Sequence, residues 1–494
     1  MVTVQTLKLP IQHHEDGCAY VYAEEKALAT ASETLAAYVK ALKVEAGDVV
    51  KMLTVENGKK HTLLFARLPE TLDYDSLEAL TAAFAQKVRE EKLKSVQVAL
   101  LDTKIAELSE AFYKQLALSN NAFTTYQKTG FAPLKKDGNN DEKEAPEADY
   151  KVALGKGFDL EAEKKKLKAA QIMANGIIRA RYLVNEPANV MTPERLASEA
   201  KRLGEETGFS VEVFDEKQIQ EMGMQAFWSV AKGSDTPPRF IVMRYMNNPD
   251  NKKVLALIGK GLTYDSGGYA LKPADGMGTM FCDMGGAAAA ICAMGVLAKS
   301  KAKVNVVGIV AACENMLSGH AYRNGDIIGS LSGKHIEIVN TDAEGRLTLA
   351  DAITYAATVI KADMIIEAAT LTGAVSIALG KEITGFVGDN EEIWNAVQEA
   401  SEKSGDKVWR LPNYAFLEKS NKSDRADIKN SGGRLAGTAT AALFCRAFAF
   451  GVPWGHLDIA ATAYHDAASD KAPFGATGVG VELFSRAAVK LFEE

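Results

Sequence analysis

Three charged residues stand at alternate positions in one short segment of the chain. Asp342, Glu344 and Arg346 lie within Asn340–Leu347, directly after the run His335–Val339, in which polar and apolar residues alternate as in a strand. Side chains two positions apart point to the same side of an extended backbone. Because ionised carboxylates are rarely buried without a partner or a metal ion, this segment predicts a site that holds a cation.

A second charged cluster precedes the first by about eighty residues. It consists of the glycine-rich stretch Gly259–Gly268, which contains Lys260 and Asp265, followed by Lys272 and Asp283. Two acidic segments that converge on one place would concentrate negative charge there. The pair of clusters therefore predicts a site for two metal ions.

The four acidic residues of the two clusters suit a pair of divalent cations. Asp265, Asp283, Asp342 and Glu344 carry a formal charge of −4, which two such cations balance. Oxygen ligands suit Mg²⁺, Mn²⁺ or Zn²⁺, and two metal ions can clamp both a nucleophilic water and a polarised carbonyl. Lys260 is expected to be a neutral metal ligand, because nearby cations disfavour the ammonium form of its amine.

Structural interpretations compete with this one for each residue. A single acidic residue more often caps a helix or pairs with a surface lysine, and only the whole set favours metal binding. The P-loop, His-Glu-x-x-His and Gly-x-Ser-x-Gly patterns are absent. His456 is predicted to be a buried, hydrogen-bonded side chain and Cys282 a small buried hydrophobe. The Ala- and Gly-rich run Asp283–Met294 is predicted to be a helix packed closely against a sheet.

Composition places the chain among soluble globular proteins. Its 494 residues are too many for one ordinary core, and hydrophobic and charged residues make up 47% and 24% of them. Five scattered cysteines argue against a disulfide framework and favour a reducing, intracellular compartment. The net charge of −7 disfavours nonspecific binding to nucleic acid.

Neither a secretory signal nor a membrane span is expected. Pro10, His13 and His14 interrupt the N-terminal stretch, and the apolar run Gly285–Ala298 has 14 residues, fewer than the roughly 20 that span a bilayer. A cytoplasmic protein without membrane partners is predicted.

Two α/β domains are expected, with a boundary between residues 160 and 161. The charged segment Lys135–Asp149 reads as a linker or surface loop, and Leu160–Leu183 as a long helix. Residues 1–160 form the smaller domain, with predicted strands and helices at Val49–Val55, Val96–Leu101, Glu24–Leu42 and Asp75–Glu91.

Residues 161–494 form the larger, catalytic domain in this prediction. Strands alternate with helix-compatible sequence such as Leu347–Ile360, which indicates a mixed, largely parallel sheet flanked by helices. Ligands bind beyond the carboxyl ends of the strands in such sheets, and both charged clusters follow predicted strands. Those strands are Phe240–Tyr245, Val254–Ile258, Val304–Ala311, His335–Val339 and Met364–Ile366.

These segments resemble those of the leucyl aminopeptidase family of two-metal cytosolic exopeptidases. The resemblance covers roughly residues 165 to 490 and is most specific at NTDAEGRL, whereas the N-terminal third has no comparable motif. The matching segments are GKGLTYDSGGYALK (Gly259–Lys272), DMGGAA (Asp283–Ala288), NTDAEGRLTLAD (Asn340–Asp351), AATLTGA (Ala368–Ala374) and WGHLDIA (Trp454–Ala460).

The resemblance implies a role for each charged residue. Asp265 and Glu344 would bridge the metals, while Lys260 and Asp283 would complete the tighter site and Asp342 the more exchangeable one. Lys272 and Arg346 would be the catalytic residues that are not ligands, with Lys272 stabilising the oxyanion. Arg346 would hold a bicarbonate ion that shuttles the proton. The metals would be Mn²⁺ or Zn²⁺, with Mg²⁺ or Co²⁺ as alternatives.

The activity implied is removal of the N-terminal residue from peptides and amino-acid amides by a water that two metal ions activate. Met280, Thr370 and Gly373 are expected to line the pocket for that residue's side chain. The family's enzymes are hexamers. Two alternatives stay open: a specialised dipeptidase, such as one for Cys-Gly, using the same site, and a nucleic-acid-binding regulator. Residues 1–150 contain 18 Lys and Arg against 23 Asp and Glu, which makes nucleic acid an unfavoured partner.

Overall fold

The computed structural model describes residues 1–7, 16–56, 58–119, 121, 126, 148–467 and 474–493. Within these ranges the chain forms two compact units, one from Met1 to Asn175 and one that begins at Gly176. The division falls inside the helix α5 (Leu160–Asn185), later than the domain boundary predicted at residues 160 and 161. The predicted linker Lys135–Asp149 lies outside the described residues up to position 147.

The first unit contains a mixed sheet with helices that supply its apolar core. The strands follow the order β1-β6-β5-β2-β4-β3, and only β3 and β4 pair in antiparallel fashion. The predicted helix Glu24–Leu42 is two helices, because the backbone at Ser32 is extended. The strands are β1 (Val2–Thr6), β2 (Gly17–Tyr22), β3 (Val49–Glu56), β4 (Lys59–Arg67), β5 (Ser95–Leu100) and β6 (Asp149–Leu154); the helices are α1 (Glu25–Ala31), α2 (Glu33–Leu42), α3 (Tyr74–Glu90) and α4 (Ser109–Leu118).

Besides the end of α5, the second unit has eleven α-helices and thirteen strands among its described residues. The helices are α6 (Pro193–Thr207), α7 (Glu216–Glu221), α8 (Gln225–Ala231), α9 (Ala274–Met277), α10 (Gly285–Ser300), α11 (Gly345–Tyr355), α12 (Gly373–Leu379), α13 (Glu391–Ser404), α14 (Ala415–Glu418), α15 (Gly437–Arg446) and α16 (Val481–Leu491). The strands are β7 (Ser210–Phe214), β8 (Arg239–Met246), β9 (Leu255–Asp265), β10 (Asn305–Asn315), β11 (Ile327–Ile328), β12 (Ile336–Glu337), β13 (Met364–Ala369), β14 (Ile383–Gly388), β15 (Lys407–Arg410), β16 (Ile428–Lys429), β17 (Trp454–Asp458), β18 (Tyr464–His465) and β19 (Gly475–Ala476).

Four parallel strands form the centre of the main sheet of the second unit. The sheet has the order β15-β14-β17-β13-β9-β10-β8-β7, in which β17, β13, β9 and β10 are parallel to one another. These central strands are almost entirely buried, as expected for a parallel sheet covered on both faces. The predicted α/β class, with a largely parallel sheet flanked by helices, is confirmed.

Helix α10 packs unusually close to the sheet because glycines face each other. A Cβ atom built on Gly286 would lie 2.0 Å from the carbonyl oxygen of Ala368, and one on Gly259 would lie 2.2 Å from that of Gly286. The segment Met280–Ser300 is long and apolar enough to cross a membrane, but 89% of its apolar 18-residue window is buried inside the protein. It is therefore the packed core helix that the Ala- and Gly-rich composition predicts.

Two local predictions are wrong. The predicted strand Val254–Ile258 is too short, because β9 continues through Gly259 and Lys260 and ends only at Asp265. Gly259 admits the backbone of α10, whereas Gly261 lies against β10. The run His335–Val339 contributes only the short strand β12, which belongs to a separate three-stranded sheet with β11 and β16.

Candidate metal centre

The predicted site residues come together at the carboxyl ends of the central strands. Lys260 lies within β9 and Asp265 is its last residue. Asp283 immediately precedes the start of α10 at Gly285. Asp342 and Glu344 occupy the loop before α11. Residues far apart in sequence thus meet at the edge of the sheet where ligands bind in open α/β folds.

Lys260 reaches between two of the carboxylates. Its Nζ lies 2.7 Å from Asp283 Oδ2 and 2.8 Å from Glu344 Oε1, and it donates a hydrogen bond of 3.0 Å to the carbonyl oxygen of Thr370. Only 4% of its side chain is exposed. The lysine therefore links strand β9 to the acidic residues ahead of α10 and α11.

Lys272 contacts the other two carboxylates from a more open position. Its Nζ lies 2.8 Å from Asp265 Oδ2 and 2.5 Å from Asp342 Oδ1. Its side chain is 17% exposed, against 4% for Lys260. Of the two lysines, Lys272 is the one that an incoming molecule could touch.

Three carboxylates from the two clusters are close enough to share cations. Ligand oxygens of Asp265, Asp342 and Glu344 all lie within 4.8 Å of one another. Glu344 is buried, yet its Oε2 has no hydrogen-bond partner among the described residues. A buried carboxylate oxygen without a partner is costly, and a bound cation would satisfy it. The residues present therefore fit the divalent ions that the sequence predicts.

The electrostatics of the cluster point the same way. Burial raises the pKa of Asp283 and Glu344, and although Lys260 lowers both pKa values, neighbouring carboxylates raise them further. Burial also raises the pKa of Asp342, against the effect of Lys272. Two lysines thus leave the four acids short of positive charge, which divalent cations would supply.

The protein's own charges favour the ammonium form of Lys260 and not the neutral form that the sequence predicts. Burial by itself would lower the pKa of Lys260, but the attraction of Asp283, Glu344 and Asp265 outweighs burial and raises it. The same balance raises the pKa of Lys272. A neutral Lys260 therefore requires the additional positive charge of bound cations, which reverses the effect of the carboxylates.

Two polar residues to which the sequence assigned no such role, Asn315 and Thr370, hold the acidic side chains in place. Asn315, the last residue of β10, donates from Nδ2 to Asp265 Oδ1 at 2.8 Å and to the carbonyl oxygen of Thr341 at 3.1 Å. Thr370, just after β13, donates from Oγ1 to Asp283 Oδ1 at 2.7 Å. Asn315 ends its strand and Thr370 directly follows its own, and that position was the available signal for their role.

Buried Asp458 anchors the loop that follows β13. It accepts hydrogen bonds from the Leu371 and Thr372 amides at 3.2 and 3.3 Å and from the Thr372 hydroxyl at 2.6 Å. The loop so fixed contains Thr370, which contacts both Lys260 and Asp283. The sequence interpretation did not assign this role to the WGHLDIA segment.

Arg346 lies on the first turn of α11, two residues after Glu344. Its side chain is buried and donates from Nη1 to the carbonyl oxygen of Asn430 at 2.9 Å. Its Nε has no hydrogen-bond partner among the described residues. Burial lowers the pKa of the guanidinium, while Cys445, Glu344 and Asp458 act in the opposite direction. A buried donor without a partner suits an anion.

The two residues predicted to be structural are buried. His456 Nδ1 lies 3.0 Å from Glu367 Oε1, on the neighbouring strand, and both side chains are completely buried. Cys282 is buried next to Asp283, and burial raises the pKa of its thiol to about 12, which suppresses the reactive thiolate.

Comparison with known proteins gives a consistent result. Residues 178–485 match the cytosol aminopeptidase family, catalytic domain. A probable cytosol aminopeptidase of Clostridium perfringens is 47% identical over 416 residues, which are 82% of this chain and 81% of that protein. One of Treponema denticola is 51% identical over 327 residues, covering 66% of this chain and 68% of that protein. The solved structure described as the bottromycin maturation enzyme BotP in complex with Mn is 29% identical, with a TM-score of 0.83, and the match covers 97% of this chain and 100% of that one.

Proposed function

Because the chain belongs to the cytosol aminopeptidase family and is a metal-dependent aminopeptidase, we propose that two divalent cations bind among Lys260, Asp265, Asp283, Asp342 and Glu344. The observation that carries this assignment is the approach of Asp265, Asp342 and Glu344 to within 4.8 Å. The unpartnered Oε2 of Glu344 supports it. Mn²⁺ and Zn²⁺ are the proposed ions, with Mg²⁺ and Co²⁺ as alternatives that the oxygen-rich ligand set also accommodates.

Bound there, the cations would supply Lewis acidity toward a peptide carbonyl and lower the pKa of a water. The chain's own side chains would stabilise developing charge and position the reacting groups. Lys272, held as an ammonium by the surrounding carboxylates and partly exposed, would donate to the oxygen on which negative charge develops. The more deeply buried Lys260 would hold the loop at Thr370 against the sheet while serving as a ligand.

Arg346 would bind an anion and thereby hold a proton acceptor beside the reacting groups. Its unpartnered Nε and its buried guanidinium support a planar anion such as bicarbonate, which accepts paired hydrogen bonds. The anion would take the proton released by the attacking water and return it to the leaving amine. This role uses no further titratable side chain of the protein.

The substrates proposed are peptides and amino-acid amides with a free N-terminus. Met280, Thr370 and Gly373 are proposed to line the pocket for the N-terminal side chain, and Thr370 already contacts both Lys260 and Asp283. The comparisons do not favour the dipeptidase or the nucleic-acid-binding regulator, since the related proteins are named as aminopeptidases.

A cytoplasmic hexamer is the proposed form of the enzyme. The names of the related proteins support the compartment. Membership of the family supports the assembly, since the resemblance in sequence implies a hexamer. Light scattering coupled to size exclusion would measure the number of subunits, and a monomer would contradict the hexamer.

Glu344→Gln tests the metal assignment. The amide keeps the size of the side chain but removes a charge and one acceptor, so Mn²⁺ affinity and hydrolysis of leucine amide should both fall by at least about 100-fold. Glu337→Gln is the matched control, because Glu337 lies seven residues away and pairs instead with Arg425. Full activity in Glu344→Gln, with wild-type Mn²⁺ binding, would overturn the proposal.

A further inference from the structure

Asn430 lies directly beneath the loop that carries two of the proposed metal ligands. It follows β16, which pairs in parallel with β12, and β12 leads into that loop. Its side chain is completely buried. The sequence interpretation assigned Asn430 no role, because it lies about ninety residues beyond the loop it contacts.

The side-chain amide of Asn430 contacts both sides of the loop. Its Oδ1 accepts hydrogen bonds from the amides of Val339 and Asn340 at 2.9 and 3.3 Å. Its Nδ2 donates to the carbonyl oxygens of Asn340 and Ala343 at 2.6 and 3.4 Å. The amide orientation is unambiguous, because the oxygen faces two N–H groups and the nitrogen faces two carbonyls.

The main chain of Asn430 extends the same network. Its N–H donates to the carbonyl oxygen of Glu337 at 3.0 Å, and its own carbonyl accepts from Arg346 Nη1 at 2.9 Å. One residue therefore contacts the chain before the ligands, between them at Ala343, and after them at Arg346. The loop has no strand partner at these positions, so its buried polar groups depend on such contacts.

We propose that Asn430 is a positioning residue that sets the spacing of Asp342 and Glu344 and orients Arg346. Ala343 separates the two ligands in sequence, so any shift of its carbonyl moves both carboxylates. Residues that orient metal ligands from behind typically change metal affinity or activity by about 10–100-fold when they are replaced. The inference rests on the proposed function, since it assigns Asn430 its purpose through that metal site.

Asn305 offers a matched control. It is a buried asparagine whose Oδ1 accepts from the amide of Asn248 at 3.0 Å and whose Nδ2 donates to the carbonyl oxygens of Asn248 and Asn251 at 2.9 and 2.6 Å. It begins β10, whereas Asn315 at the end of the same strand touches the site, roughly 33 Å away at 3.3 Å per residue. The two asparagines thus satisfy loop backbone in the same way, one at the site and one remote from it.

The experiment compares Asn430→Asp and Asn430→Ser with the same two substitutions at Asn305. Aspartate removes both donors, and serine keeps a short polar group, so Asn430→Ser decides the question if Asn430→Asp does not fold. Thermal unfolding is recorded first. Mn²⁺ binding is then titrated without substrate, and kcat and KM for leucine amide are measured at saturating Mn²⁺, below the unfolding temperature of every variant.

The expected result is a loss of Mn²⁺ affinity and of kcat that lower stability does not explain. Both pairs of variants should unfold at lower temperature, but only the Asn430 variants should bind Mn²⁺ about 10–100-fold more weakly and lose kcat by a similar factor. Wild-type Mn²⁺ affinity and kcat in a folded Asn430 variant, or equal losses in the Asn305 variants, would overturn the assignment. A wild-type chain that binds no Mn²⁺ would overturn the proposed metal site itself, and this inference with it.

Discussion

Gly345 lies directly against the side chain of Lys260. A Cβ atom built on Gly345 would stand 2.4 Å from Lys260 Cε and 2.7 Å from its Nζ. Gly345 is also the first residue of α11 and follows Glu344, one of the carboxylates that Lys260 contacts. The absence of a side chain at this position is therefore what allows the amine to reach the acidic cluster.

Gly345→Ala should separate stability from activity. Alanine is a better helix former than glycine by up to about 1 kcal/mol, so the free energy of unfolding should change little. The added methyl group must displace Lys260, so Mn²⁺ affinity and kcat should fall by about 10-fold or more. Gly319→Ala is the control, since a Cβ there meets nothing within 4 Å. Equal activity in both variants would contradict the role of this contact.

Lys272→Met should impair the reaction without removing the metal ions. Methionine keeps most of the length of the side chain and deletes the ammonium that lies 2.8 Å from Asp265 and 2.5 Å from Asp342. Loss of an oxyanion donor typically lowers kcat by about 10²–10³-fold. Metal content and kcat would be measured together, with Lys253→Met, which breaks an ion pair with Glu392, as the control. An unchanged kcat would exclude the oxyanion role.

Arg346→Lys should make the enzyme insensitive to bicarbonate. Lysine keeps a positive charge but lacks the planar fork that binds an anion through two hydrogen bonds, and it loses the bond from Nη1 to Asn430. In buffers freed of carbon dioxide, wild-type kcat should rise with added bicarbonate. The kcat of the variant should stay about 10²-fold or more below that of wild type with added bicarbonate, as expected when a proton shuttle is lost. A parallel rise in both proteins would argue against an anion at Arg346.

Asp351 should make stability depend on pH in the opposite direction from an ordinary carboxylate. Burial raises its pKa to about 7, although the amides of Phe227 and Leu331, at 2.9 and 2.8 Å, work against burial. An unfolded chain ionises Asp351 near pH 4, so between about pH 4 and 7 the folded state binds more protons. The stability contributed by this group is therefore present below pH 4 and is lost as the pH rises through 7.

Asp351→Asn should remove this contribution to the pH dependence of stability. It should also lower the free energy of unfolding by about 1–3 kcal/mol, because one backbone N–H then lacks its acceptor. Urea unfolding at pH 5 and pH 8 would measure the effect. The free energy of unfolding of wild type should exceed that of the variant by more at pH 5 than at pH 8. Asp363→Asn is the control, since Asp363 also accepts a backbone N–H, from Val254, but is exposed. An identical difference at both pH values would contradict the raised pKa.

The sequence was sufficient to predict which charged residues converge at one edge of the sheet, because charge and strand position are local properties. Asp265 follows an apolar run that forms a buried strand, and carboxylates at such strand ends face a common edge of the sheet. The helical pattern of Leu160–Leu183 likewise predicts the helix observed at Leu160–Asn185.

Other features depend on contacts that no local pattern reveals. Alternation in His335–Val339 predicts a strand but not its sheet, and its pairing partner Ile428–Lys429 lies about ninety residues away. The glycines on either side of Lys260 lie within a strand, where Gly259 faces the backbone of α10 and Gly261 faces β10. Asn430 carries no charge, so nothing in the sequence separates it from any other polar residue near a turn.

The glycine contact between β9 and α10 also determines how the site should respond to heat. Lys260 and Asp283 lie at the two sides of that contact, so backbone packing sets the distance between them and rotamers adjust it little. Such an interface resists gradual opening, since a separation of about 0.5–1 Å already loses roughly a quarter to a half of its dispersion energy. Activity should therefore persist on warming until the main sheet unfolds. An enzyme adapted to cold would need looser packing between β9 and α10.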